Sequence, residues 1–165
     1  MTSFPSRRVL LGLFALLLVC GAASETGRIT PADRKRLQAP TLRLSTKTAE
    51  IPEQVRKAFA ALVHQPVFEM AEPTQPFQAT DHIAPGPPLP GRRLIFAASD
   101  DGLCVIHYER GGYAHVYEVV AFTLSKGAPP ELAWSALSYG KLEDLEALRK
   151  AVAEDKMRPG EMRYW

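Results

Sequence analysis

The residues best equipped for chemistry lie in one twelve-residue stretch, His107-Tyr108-Glu109-Arg110-Gly111-Gly112-Tyr113-Ala114-His115-Val116-Tyr117-Glu118. Imidazole and carboxylate side chains in reach of one another can act as a general acid–base pair or as part of a metal site. The diglycine marks a turn, because glycine reaches positive φ without strain, so the stretch reads as a hairpin. Its register decides which groups meet. A three-residue loop at 110–112 sets His107 opposite His115, close enough for both to bind one metal. A two-residue loop at Gly111-Gly112 pairs Tyr108 with His115 and sends the histidines to opposite faces. The sequence leaves both registers open.

Zinc takes three or four ligands, and only Glu109 or Glu118 is at hand to supplement the histidines. We therefore expect no metal and no other cofactor. A hydrolase would use His107 or His115 with Glu109 or Glu118 as general base. No G-x-S-x-G nucleophile elbow, P-loop, dinucleotide-type G-x-G-x-x-G or H-E-x-x-H is present. The balance favours binding over catalysis, with no catalytic residue assigned and Tyr108, Arg110, Tyr113, His115 and Tyr117 as the contact residues. His64 and His82 are isolated and read as surface residues. His82, with Asp81, would join a site only if its proline-rich loop folded over the hairpin. Cys104, between Leu103 and Val105-Ile106, reads as a buried structural thiol rather than a nucleophile.

The elements that would position this hairpin are legible in the spacing of apolar residues. Arg93–Ala98, Leu103–Glu109 and Tyr113–Leu124 read as three strands, joined by Asp101-Gly102 and by the diglycine turn, which makes an antiparallel meander. Leu103 and Val105 fall on one face and Cys104 and Ile106 on the other, so the sheet needs cover on both faces, or on one face plus a partner protein. Glu131–Leu137 is a fourth strand, carrying Trp134. Short strands are also expected at Thr41–Lys47, on an edge, at Val67–Met70 and at Phe77–Thr80.

Thr30-Pro31-Ala32-Asp33 opens a short helix that Pro40 stops. Ile51, Val55, Phe59, Leu62 and Val63 form one apolar stripe of a helix at 52–64. Leu142, Leu145, Leu148 and Val152 mark a second main helix at 141–156, with Glu146 and Lys150 as an i,i+4 pair. The fold class is α+β: an antiparallel meander of about four to six strands packed with two main helices, one before and one after it. In architecture alone this resembles cystatin-like or nuclear-transport-factor-like folds, and such folds host many unrelated functions. Residues 71–91 carry six prolines and two glycines in twenty-one positions and read as a stiff loop over the sheet. The closing Met162-Arg163-Tyr164-Trp165 is expected to pack back as a strand or plug.

The N-terminus reads as an address. Arg7-Arg8 precedes twelve uncharged residues, Val9–Cys20, and then Gly21-Ala22-Ala23. That is the layout of a bacterial secretory signal with cleavage after Ala23. The expected location is periplasmic or extracellular. The alternative is a lipoprotein anchored at Cys20, although Val19 is larger than the usual preceding residue. From Val9 to Ala23 there are only fifteen residues, short for a spanning helix, which needs about 20.

The chain carries 20 Lys+Arg and 18 Asp+Glu, and Arg7 and Arg8 are the only charges in 1–23, so cleavage leaves 18 of each. No surplus of positive charge remains to neutralise phosphates, and nucleic acid is not an expected partner. Three segments are expected: the signal at 1–23, a basic arm with a short helix at 24–47, and a single α+β domain at 48–165. These features point to a small exported protein that acts in the envelope as a non-catalytic binding or inhibitor-type module, engaging an envelope partner or ligand. The alternatives are a periplasmic hydrolase acting through a His/Glu pair on the 107–118 hairpin, and a structural envelope component tethered by lipid.

Overall fold

A computed structural model describes residues 28–81 and 86–160. The expected export signal, the lipidation site Cys20, His82 and the aromatic end 162–165 lie outside the described residues. A helix α1 (Pro31–Leu37), a strand β1 (Arg43–Ser45) and a helix α2 (Glu53–Leu62) lead into the meander. Its long strands are β2 (Arg92–Ser99), β3 (Leu103–Arg110), β4 (Val116–Thr123) and β5 (Glu131–Ser138). A helix α3 (Leu145–Ala153) and a short strand β6 (Met157–Pro159) follow. The six strands form one antiparallel sheet in the order β1-β2-β3-β4-β5-β6. The fold is thus α+β, with helices before and after the meander.

Alternation along β3 builds two cores. Leu103 and Val105 join Leu37 of α1 and Leu145, Leu148 and Val152 of α3 on one face. Cys104, Ile106 and Tyr108 join Ile51, Val55 and Phe59 of the α2 segment on the other. The two-sided apolar sheet is covered by the chain's own helices. Burying both faces stabilises the meander by roughly 25 cal/mol per Å² of apolar surface removed from water. Over its described part, the basic arm belongs to this packing: Leu37 is fully buried and β1 pairs with β2.

The caps explain the helix limits. Thr30 Oγ1 accepts from the Asp33 amide, while the Thr30 amide donates to Asp33 Oδ2, a reciprocal capping box. Asp144 Oδ1 accepts from the Ala147 amide at 2.8 Å, so α3 starts at Leu145 rather than at 141. The expected Glu146–Lys150 pair is replaced: Glu146 meets Arg149, whose Nε and Nη2 also donate to the carbonyls of Leu37 and Ala39 at 2.8 Å. Arg149 thereby ties α3 to the end of α1.

Two expected strands are absent. Of residues 67–71, Phe68 and Met70 pack into the α2-side core, and only Ala71 pairs its backbone with the sheet, through a parallel bridge to Arg93. Its amide donates to the Arg92 carbonyl and its carbonyl accepts from the Leu94 amide, both at 2.9 Å. Residues 77–80 run as coil, with one ladder-like bond from the Gln78 amide to the Pro90 carbonyl. That coil lies on the β3–β4 loop. A Cβ at Gly111 would overlap the Gln78 carbonyl oxygen and the Ala79 backbone, so only glycine admits this approach. The described part of the proline-rich segment at 78–79 therefore does lie over the hairpin loop.

Candidate functional site

The hairpin takes neither expected register. Arg110 pairs with Val116, which makes a five-residue loop of 111–115 and sets His107 opposite Val119. His115 leaves the ladder. Gly112, at φ 115°, turns the loop, and the Gly111 amide is held by the Gly91 carbonyl at 3.1 Å. The wider loop makes room for the Gln78–Ala79 backbone, a tertiary demand that the diglycine signal does not carry.

A bulge in β2 assigns the neighbouring charges to their faces. Pairing with β3 slips between Leu94 and Phe96, leaving Ile95 as the extra residue, and Ile95 and Phe96 both enter the α3-side core. Beyond the bulge, Arg93 falls opposite Glu109 and Arg92 opposite Arg110. Regular alternation would exchange the faces of the two arginines.

On the α3 face the chemistry centres on Glu109, which is 5% exposed. Its Oε1 accepts from Arg93 Nε at 2.5 Å, and its Oε2 lies 2.7 Å from His115 Nε2. The Arg93 guanidinium sits over the Phe77 ring, 4.4 Å from the centroid, a cation–π contact that fixes the charge from the loop side. The His115 ring also approaches Phe77 and Tyr117, at centroid distances of 5.9 and 5.1 Å. A cleft of about 370 Å³ opens beside this group, walled by Pro73, Arg93, Glu109, His115, Tyr117, Lys141 and Glu143. A carboxylate that holds one imidazole nitrogen leaves the other to face an incoming group, which is the arrangement of a general base.

His107 occupies the same side of the sheet but is fully buried. The Leu142 amide donates to its Nε2 at 3.1 Å, so Nδ1 carries the proton and donates to the Glu118 carbonyl at 2.9 Å. Burial lowers its pKa to about 4, against the weaker raising effect of the Glu118 backbone and the Glu109 charge. With both ring nitrogens engaged, His107 is a core polar bridge, not an acid–base group or a metal ligand. Among the described residues no group of three or more His, Cys, Asp or Glu side chains is placed to hold a metal ion.

The α2 face carries the second buried acid. Glu118 Oε1 accepts from Nε and Nη2 of Arg110 at 3.1 and 2.8 Å. Tyr108 lies beneath, fully buried and edge-on to Phe59 at 5.3 Å. Burial and the Glu118 carboxylate raise the Tyr108 phenol well above its usual value.

The five expected contact residues are thus divided. His115 and Tyr117 line the α3-side cleft. Arg110 is half-buried against Glu118 on the opposite face. Tyr113 stands fully exposed at the loop tip, while Tyr108 is sealed in the core and presents no surface. Cys104 is likewise buried, and desolvation pushes its thiol up to about 12, as expected of an inert structural cysteine.

Arg93 and Phe77 were not singled out from sequence. Nothing local marks the Ile95 bulge that turns Arg93 to Glu109, or the coil that brings Phe77 to Arg93 and His115. Tyr139 was also missed. It is 79% exposed directly after β5, and Tyr117 pairs with Ser138, so Tyr139 emerges from the same end of the sheet as the hairpin loop. No helix among the described residues is long and apolar enough to cross a membrane. The chain matches no protein-family model, no curated protein and no solved structure.

Proposed function

We propose that this is a small exported binding module of the bacterial envelope, and that it engages a partner protein through the sheet end bearing Tyr113, His115, Tyr117 and Tyr139. The observation that carries this reading is the pair of large exposed rings at that end. Tyr113 is 100% and Tyr139 79% exposed, on loops held by a packed sheet. Rigid tyrosines with a polar tip give contact area at low entropic cost and are enriched at recognition surfaces. The charged cleft of Arg93, Glu109, Lys141 and Glu143 alongside supplies polar anchoring. Export rests on the N-terminal pattern of Arg7-Arg8, the uncharged run and Gly21-Ala22-Ala23.

Photo-crosslinking in the native host tests the surface. The full chain would carry a photoreactive residue at position 113, at 139, or at Lys126 as a control on the β4–β5 turn. One discrete adduct is expected from 113 and 139 and none from 126, and Tyr113→Ala combined with Tyr139→Ala should abolish co-purification of that species. Equal labelling from all three positions would overturn the reading. Arg110→Ala is a poor probe, because it strands the buried Glu118 carboxylate.

A second reading, a hydrolase, is favoured by the 2.7 Å contact between His115 and Glu109. Glu109 would orient the imidazole, and the free ring nitrogen would take a proton from water in the cleft. On this reading His115→Ala abolishes turnover with the fold intact; turnover that survives His115→Ala rules it out.

A further inference from the structure

We infer that the groove between α2 and the segment after it docks an extended peptide of a partner protein, taking one apolar side chain and the backbone amide beside it. The way α2 ends makes this groove. His64 adopts the left-handed conformation, at φ 56°. Its amide donates to the Ala61 carbonyl at 3.2 Å, and the Gln65 amide donates to the Ala60 carbonyl at 2.9 Å. These are the paired bonds of a Schellman cap. Pro66 follows and cannot continue the helix. Phe68 is then held edge-on to Phe59 of α2, with 5.6 Å between ring centroids. Residues 65–68 therefore return alongside the helix they have just left.

A cavity of about 550 Å³ lies between the two walls, in the range of small-ligand sites. Arg56, Ala60 and Ala61 line it from α2, and Gln65, Val67 and Phe68 line it from the returning segment. Alanine at 60 and 61 leaves open the space that longer side chains would fill. Val67 is 66% exposed, a large apolar residue left at the edge of this groove.

Two polar atoms of these lining residues lack partners. Arg56 Nε and Gln65 Oε1 are shut away from solvent and have no hydrogen bond among the described residues. Glu53, one helical turn before Arg56, is bound instead to Lys57 at 2.7 Å. A polar atom that loses water without gaining a partner costs free energy. One of the two is a donor and the other an acceptor. A peptide group offers the matching pair, an accepting C=O and a donating N–H. A carboxylate only accepts and an ammonium only donates, so either would leave one of the two unmet. Both groups end long side chains, and small rotations turn them to an incoming amide. The apolar side chain next to that amide would lie on Ala60 and Ala61 and cover Val67. An extended polypeptide is the common carrier of this combination. The groove shares no residue with the hairpin end and does not depend on what that end binds.

The test is a heteronuclear NMR titration of the purified chain with N-acetyl-leucine N-methylamide, which carries one apolar side chain between two amides. Isocaproate and isoamylamine, branched alkyl chains ending in a carboxylate and an ammonium, are the comparison probes. The diamide should shift the Ala61, Gln65 and Val67 amides to saturation, and bind roughly tenfold more tightly than either ion. Arg56→Met keeps the aliphatic stem and removes the donor, and Gln65→Met removes the acceptor. Each should weaken the diamide roughly five- to tenfold, the effect of one hydrogen bond, with Tm unchanged or raised. Ala61→Leu should fill the groove and abolish the shifts. The comparison of the three probes on the wild type needs no variant. No saturating shift with the diamide, an ion that binds as tightly, or equal affinity in the wild type and both Met variants would overturn the proposal.

Discussion

His107 and His115 stand on one hairpin, on either side of Tyr117, at ring-centroid distances of 6.4 and 5.1 Å from it. They have opposite fates. His107 is walled in by the sheet and the β5–α3 connection, and both of its nitrogens are bound to backbone. His115 sits in the loop, its side chain 42% exposed, with Nε2 on a carboxylate and a cleft beside it. The residue type is the same, so the difference comes from the loop. Five residues between Arg110 and Val116 release His115 from the ladder, whereas β3 keeps His107 in it. A histidine whose hydrogen bonds end on backbone serves the fold, and one bound to a fixed carboxylate at a cleft is available for recognition or proton transfer.

Breaking the buried partner should have the largest effect. His107→Ala removes a filled core volume and orphans the Leu142 amide, and a loss of about 3–4 kcal/mol is expected in urea unfolding. The same residue governs acid stability. Its folded pKa is lowered from 6.5 to about 4, so the unfolded chain binds the proton more readily. Stability contributed by His107 is full above pH 6.5, falls as pH drops from 6.5 towards 4, and levels off below that. At about 1.4 kcal/mol per pKa unit this amounts to roughly 3 kcal/mol. Unfolding midpoints measured from pH 7 to 4 should show the decline in the wild type and lose the His107 component in His107→Gln; identical pH profiles would contradict the assignment.

Gly111→Ala sharpens the comparison from the loop side. The added methyl meets the Gln78 and Ala79 backbone, and a cost of about 1–3 kcal/mol is expected from this overpacking. Hydrogen exchange should report the Gln78 and Gly111 amides unprotected in the variant while β3 stays protected. The smallest effect on stability is expected for His115→Ala, below about 1 kcal/mol, because its pairing with Glu109 is part-exposed. Its consequence should appear in binding, or in turnover if the hydrolase reading holds.

The sheet was legible because the meander follows the simplest rule available: alternating apolar residues bounded by Asp101-Gly102, Gly111-Gly112 and Pro129-Pro130. The two faces of β3 could be assigned from Leu103 and Cys104 onward for the same reason. The site was legible only as a list of residues. Its geometry depends on the bulge at Ile95, the width of the 111–115 loop and the seating of residues 77–79 on Gly111. Each is set by contacts between segments far apart in sequence, which local periodicity does not record. Val67–Met70 misled for a related reason. Its apolar residues suggest a strand, but only Ala71 reaches the β2 edge and Val67 remains 66% exposed.

Native mass spectrometry of the protein purified from its own host, wild type beside the Tyr113→Ala/Tyr139→Ala double variant, tests the central claim most directly. The account predicts a wild-type species of Ser24–Trp165 carrying the mass of a second polypeptide, and the bare cleaved chain for the double variant. A wild type that flies as the bare chain, or a double variant that keeps the added mass, would contradict it.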